Sequence, residues 1–300
     1  MNRVQVAGTY SVPVPPESHE LAAVETATAA NQPRQLIVTV YGLYSRETGN
    51  WLSVSSVVRL LGQLGVEEIA VRASISRLKR RRILVSSKMN GAAGYSLSES
   101  TLEIIREGDR RIFNRSRATV DAGWLLAVFS IPESERYKRH QLRTTLTRLG
   151  FGTAAPGVWI APTHLYDEVA DALDRSGLAH FVDLFRADHL AFGDLHDKVA
   201  QWWDLEQLHD LYADFLSGYE PLRARNKRRR NIPPREAFIG YVHALTTWRR
   251  LPYLDPGLPL ELLPPDWNGA IAADLFDWLQ RTLAEPAHDY ARSVIDGTEG

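Results

Sequence analysis

Cysteine is absent from this chain, which excludes a disulfide framework, a thiolate nucleophile and cysteine-ligated zinc. No apolar run approaches the roughly 18 residues of a membrane span. No basic segment followed by an apolar run opens the sequence, so a soluble cytoplasmic protein is expected, with no membrane partner. GxSxG, P-loop, GxGxxG and HExxH patterns are all missing, removing the common nucleophile, nucleotide and zinc signatures. His180, His189, His196 and His209 stand among Asp183, Asp188, Asp194 and Asp210 without a recognised ligand spacing. The sequence therefore predicts no catalytic residue, no metal and no cofactor.

What is present is enough apolar material for real cores. Of 300 residues, 44% are hydrophobic and 24% charged, typical of two or three globular domains. The net charge of −1 hides a division. Residues 34–117 carry 15 Lys/Arg against 7 Asp/Glu, while 118–300 carry 19 against 26. A basic segment joined to an acidic remainder points to a nucleic-acid-binding module with an attached unit of another kind.

Inside the basic segment, VRASISRLKRRR places Val71, Ile75 and Leu78 at i, i+4 and i+7, the apolar stripe of one short helix. Arg72, Ser76, Arg77, Lys79 and Arg80 fall away from that stripe. A first helix over 35–44 (its β-branched residues equally suit a strand, and the order that follows favours the helix), a second capped by Ser53 or Ser55 and stopped at Leu64-Gly65, and a turn over 65–68 lead into a recognition helix over 69–81. Beyond it, Asn90-Gly91 sits between two strand-like runs and predicts a hairpin, because both residues tolerate positive φ. This is the order of a winged helix-turn-helix. The five polar residues of the helix, with Lys88 and Asn90 on the wing, are the expected DNA contacts. Arginine suits bidentate contact with guanine, and lysine or serine suits phosphate.

The remainder falls into three parts. Residues 1–33, rich in Pro, Ala, Thr and Ser, read as a disordered arm. After an amphipathic connecting helix over 99–114, residues 118–197 read as strand (124–131), helix (134–149), two short strands about Pro156-Gly157, helix (166–176) and strand (181–185). That βαββαβ order is ferredoxin-like. From 198 to 300 the pattern is helical, with helices over 235–250 and 270–283 separated by an ordered proline-rich connection. The basic run RARNKRRR, Arg223 to Arg230, reads equally as a phosphate-binding or a solvated loop. Trp202, Trp203, Trp248, Trp267 and Trp278 suit an aromatic pocket or, more ordinarily, a core.

Three blocks carry a family resemblance: VRASISRLKRRRIL; GWLLAVFSIP followed by LRTTLTRLGFGTAAPGVWIAP; and AFIGYVHALTTWRRLPYLDPGLPLELLPPDWNGAIAADLF. In this order they resemble the PaaX family of repressors of phenylacetate catabolism. The resemblance implies an α+β chain with an N-terminal winged helix (34–117), a central ferredoxin-like domain (118–197) and a helical C-terminal domain (198–300). It also implies a homodimer on a palindromic double-stranded DNA operator, released by an aryl-CoA thioester such as phenylacetyl-CoA. Arg82 departs from the pattern, since the family usually has glycine there. The central domain also resembles the small CRISPR-associated nuclease subunit, whose metal-binding aspartate is replaced here by Ser130. A DNA-associated nuclease is thus the alternative reading, and the chain is not expected to be an enzyme.

Overall fold

The computed structural model describes residues 32–190, 192–229 and 231–298. The expected disordered arm lies outside them except for its last two residues, which are helical. α1 spans Gln32–Tyr44 and begins three residues earlier than its periodicity indicates. Its β-branched run, Ile37-Val38-Thr39-Val40, is wholly buried; burial overrides the modest helix propensity of these residues.

A short strand β1, Trp51–Ser53, leads into α2, Val54–Gln63. Ser53 is its cap, with Oγ accepting from the Ser56 N–H at 3.0 Å. α3, Glu68–Arg80, follows a turn at Gly65. β2, Leu84–Met89, and β3, Ala92–Leu97, then form the hairpin, with Asn90 and Gly91 at φ 51° and 80°. β1 pairs with the far side of β3, so the sheet runs β1-β3-β2. α4, Glu99–Phe113, leaves this sheet under a Ser98 cap.

The central unit comprises β4 (Trp124–Phe129), α5 (Arg136–Arg148), β5 (Gly152–Ala155), β6 (Val158–Pro162), α6 (Tyr166–Arg175) and β7 (Val182–Ala187). Its antiparallel sheet has the order β5-β6-β4-β7. Leu125 and Ala127 of β4 pack on Leu142, Leu146, Val169 and Leu173 of the two helices, a core of its own. α5 starts later than expected because Glu133–Glu135 form a 3-10 turn.

The last third is helical, with two differences from expectation. α7 (Leu195–Trp202) and α8 (Leu205–Asn226) are separate, because Asp204 caps α8 through the Gln207 N–H at 2.9 Å. α8 also continues through Arg223 and Arg225 rather than ending before the basic run. α9 (Pro234–Trp248) and the short α10 (Leu251–Leu254) precede α11, which runs from Asn268 past Pro286 to Asp296 instead of stopping at Leu283. Ala287, Ala291 and Val294 are fully buried there, and their packing outweighs the hydrogen bond that Pro286 removes.

The N-terminal module does not have a core to itself. Leu36, Ile37, Val40 and Tyr41 of α1 join Phe238, Val242, Leu245, Phe276 and Leu279 of α9 and α11 in one apolar cluster. The buried hydroxyls of Thr39 and Thr246 are 2.8 Å apart across this contact, and Arg59 of α2 donates to the Val294 carbonyl at 2.6 Å.

The joint to the central unit is apolar where Trp124 and Ile160 enter that same cluster beside Trp203, and polar where the chain leaves α4. Asp255, 1% exposed, pairs with Arg115 and, at 3.5 Å, with Arg117, both just beyond α4. Tyr212 Oη donates to Asp255 Oδ2 and the Gly257 N–H to Oδ1, both at 2.8 Å. Burial alone would raise this carboxyl, but the two guanidiniums hold it down at about 2. A depressed carboxyl contributes stability above its ordinary titration range and loses it as pH falls. Asp255→Asn should cost about 3–5 kcal/mol at neutral pH, because buried guanidiniums are left uncompensated. The gap between variant and wild type in urea denaturation should narrow as pH drops from about 4 towards 2. A gap constant over that range would overturn the assignment.

Candidate nucleic-acid interface

α3 buries Val71, Ser74, Ile75 and Leu78 and exposes Ile69, Arg72, Ala73, Ser76, Arg77 and Arg80. The exposed set recurs at i, i+3, i+4, i+7, i+8 and i+11, which is one helix face. All five residues expected on the helix are exposed, Lys79 lying on the flank facing β2. Lys79 and Arg82 line a shallow groove with Val85 and Ser86. Lys88 and Asn90 are also exposed, but at the far end of the hairpin rather than against α3.

Sequence reasoning missed several features of this face. Arg72 is already engaged, its Nε 2.7 Å from Oε1 of Glu68 one turn earlier. Ile69, 81% exposed at the start of α3, is an apolar side chain standing in water with no structural need to be there. Arg34 in the first turn of α1 lies near Arg77 and Arg81. Its guanidinium is pushed below its ordinary value by burial and then by those two cations. Arg34 Nε and Arg81 Nη1 are buried donors without an acceptor among the described residues. The Arg72–Glu68 spacing was readable as an i, i+4 pair; the approach of Arg34 had no local signal.

α3 ends in a Schellman motif, with Arg82 N–H on the Lys79 carbonyl and Ile83 N–H on the Leu78 carbonyl, both at 3.0 Å. α2, α5 and α6 close the same way with Gly65, Gly150 and Gly177 at the left-handed position. At α3 that position is Arg82, with φ 55°. The exit geometry that glycine would give is thus retained, at a conformational cost of about 1 kcal/mol.

Three family models match successive segments: PaaX-like protein over residues 32–101, PaaX protein central Cas2-like domain over 117–199, and PaaX-like protein C-terminal domain over 203–293. The chain belongs to the PaaX family. Among PaaX proteins, the transcriptional repressor PaaX of Escherichia coli (strain K12) is 29% identical over 247 residues, 80% of this chain and 77% of the relative. An uncharacterized protein, Rv0674, from Mycobacterium tuberculosis shares the fold. Its TM-score is 0.53 at 24% identity, covering 83% of this chain and 99% of that one.

Elsewhere in this PaaX-family chain the other sequence candidates find ordinary partners. Ser130 follows β4, its N–H on the Phe181 carbonyl at 3.1 Å, and the described residues hold no metal-binding group of three or more His, Asp or Glu. Trp203, Trp248 and Trp267 are core residues. Arg223 pairs with Glu220 at 2.7 Å, and Arg225 and Arg229 with Glu236 at 3.6 and 3.0 Å, so carboxylates face much of the basic run; Arg230 lies outside the described residues. No described helix is long and apolar enough to cross a membrane. Arg82→Gly should raise stability by about 1 kcal/mol through relief of the left-handed strain, read as a higher urea midpoint at unchanged slope. A lower midpoint would mean that the Arg82 side chain makes a compensating contact.

Proposed function

We propose that this protein is a ligand-responsive transcriptional repressor that binds a palindromic double-stranded DNA operator as a homodimer. The observation that carries the reading is the exposed face of α3 that carries Ile69, Arg72, Ala73, Ser76, Arg77 and Arg80. It is backed by a hairpin carrying Lys88 and Asn90, in the order of a winged helix-turn-helix. The repressor identity of the Escherichia coli relative supports the same reading. With α3 in the major groove, its N-terminal residues approach base edges. Ile69 is then placed to pack on a thymine methyl, the apolar feature of that groove. Arg34, Arg77, Lys79 and Arg81 gather cationic charge towards the phosphates.

The central βαββαβ unit, read as ferredoxin-like, serves as scaffold and dimer surface. Phe185, Leu190 and Phe192, 53%, 91% and 94% exposed on and after the edge strand β7, support self-association there. A dimer would set half-sites about 34 Å apart. The effector is an aryl-CoA thioester, phenylacetyl-CoA being the first to test. It would act by favouring a state in which the two recognition helices no longer fit that spacing. Ser130, at the position of the nuclease subunit's metal-binding aspartate, disfavours the nuclease reading.

A mobility-shift titration against the chain's own upstream DNA, with and without phenylacetyl-CoA, tests the reading. Expected are a specific complex, its release by the thioester, and an affinity that falls steeply with salt. Arg77→Ala and Lys79→Ala should each weaken the complex by about tenfold or more without changing the melting curve. Unchanged affinity in both would overturn the recognition-helix assignment. Ile69→Ala should reduce operator affinity while sparing binding to unrelated DNA; an equal loss on both would remove Ile69 from base recognition.

A further inference from the structure

The basic run at the end of α8 is held in place by the fold. Lys227 N–H meets the Arg223 carbonyl at 2.8 Å, and Arg229 N–H the Asn226 carbonyl at 2.9 Å. Asn226 is buried, its Nδ2 donating to the Leu222 carbonyl at 3.0 Å. Ile232 is buried as well, just ahead of α9. Lys227, Arg228 and Arg229 are therefore presented outward from an ordered turn. Within residues 220–236, Arg223, Arg225, Lys227, Arg228, Arg229 and Arg235 face only Glu220 and Glu236. Glu220 pairs with Arg223, and Glu236 is shared between Arg225 and Arg229. Lys227 and Arg228 are exposed and form no ion pair among the described residues. Arg235, also exposed, donates from Nε to Gln63 Oε1 at 2.6 Å, and a neutral amide leaves its charge uncompensated.

The Arg235–Gln63 bond also fixes where these charges sit. Gln63 ends α2, two residues before the Gly65 turn that leads into α3. His243, about two turns further along α9, hydrogen-bonds to the Leu64 backbone. Because α9 shares its core with α1, the patch is locked beside the end of α3 that carries Ile69. That end has little positive charge of its own. Glu67 and Glu68 open α3, and its first cation, Arg72, is paired with Glu68. Phosphates near it would have to find their cations elsewhere. Uncompensated like charges held together only repel one another, so the fold gains nothing from the patch unless an anion meets it.

We propose that Lys227, Arg228 and Arg235 form a second DNA-contact site, in which the C-terminal helices hold backbone phosphates beyond the segment read by α3. The proposal rests on the DNA-binding reading and adds a contact from outside residues 34–117. Lysine and arginine on an exposed turn reach phosphate oxygens without entering a groove. Such contacts supply affinity and register but carry no sequence preference. Each releases counterions and so steepens the salt dependence of binding. The duplex that this chain occupies is then longer than the sequence it reads.

The test is a fluorescence-anisotropy titration of the full-length protein with duplexes from its own upstream DNA. One duplex is trimmed to the half-sites, and one extends about ten base pairs, a helical turn, beyond each. A double variant, Lys227→Ala with Arg228→Ala, should bind the extended duplex about three- to tenfold more weakly. Its slope of log affinity against log salt should be shallower by about one to two, and Arg235→Gln should remove about one more. The same loss is expected on extended duplexes of unrelated sequence, which separates these residues from Ile69. On the trimmed duplex the variants should match wild type. Variants that match wild type on the extended duplex would overturn the second contact and leave the α3 assignment standing. A loss equally large on the trimmed duplex would overturn its placement beyond the α3 segment. A wild-type protein with no salt-dependent affinity for any duplex would overturn the DNA-binding reading, and this site with it.

Discussion

Asp255 sits without solvent between two arginines, a tyrosine and a backbone amide, and the path of the chain from α4 into the central unit depends on it. A buried carboxylate is costly unless its lone pairs are satisfied. Here Tyr212 and Gly257 complete what Arg115 and Arg117 begin. Such a network is directional, so it fixes how the segment after α4 leaves the helix. Ala118 N–H on the Gly257 carbonyl at 2.8 Å extends the same registration. The contrast with the other joint is physical. α1 meets α9 and α11 mainly through apolar surface, with Glu47 just beyond α1 pairing with Arg292 of α11 at the edge, whereas α4 meets α6 through the Arg111–Glu168 and Arg175–Glu107 ion pairs.

The exposed face of α3 and its surroundings depart from what stability alone would select. Ile69 is exposed, Arg82 occupies a left-handed position that glycine fills at four other α-helix ends, and Arg34 crowds two further arginines. Local inconsistencies of this kind gather where a surface has another task. They share a direction: each puts an apolar or cationic group where DNA would meet it.

The helices α2 and α3 and the hairpin after them were legible because every signal in them is local. The Ser53 cap, the Gly65 stop, the Val71-Ile75-Leu78 stripe and Asn90-Gly91 each act within a few residues. The βαββαβ order of the central unit was legible for the same reason, from alternating short apolar runs and glycine stops. Failures came where distant packing decided. β1 is three residues long and exists because β3 pairs with it. α11 crosses Pro286 because Ala287, Ala291 and Val294 have a core to enter. The exposed residues of α3 were readable from periodicity, but Arg34 of α1 reaches Arg77 and Arg81 across a gap of more than forty residues in sequence.

The shared core also has a consequence in time. Arg59 of α2 and Val294 of α11 are 235 residues apart in the chain and in contact in the fold. During synthesis, the helices that support the exposed face of α3 emerge early and must wait for α9 and α11 before their apolar surface is covered. A nascent chain released early would carry the basic side chains of α3 on an unfinished support. A stable N-terminal module is therefore tied to completion of α11, and a truncated product is a candidate for chaperones and proteases.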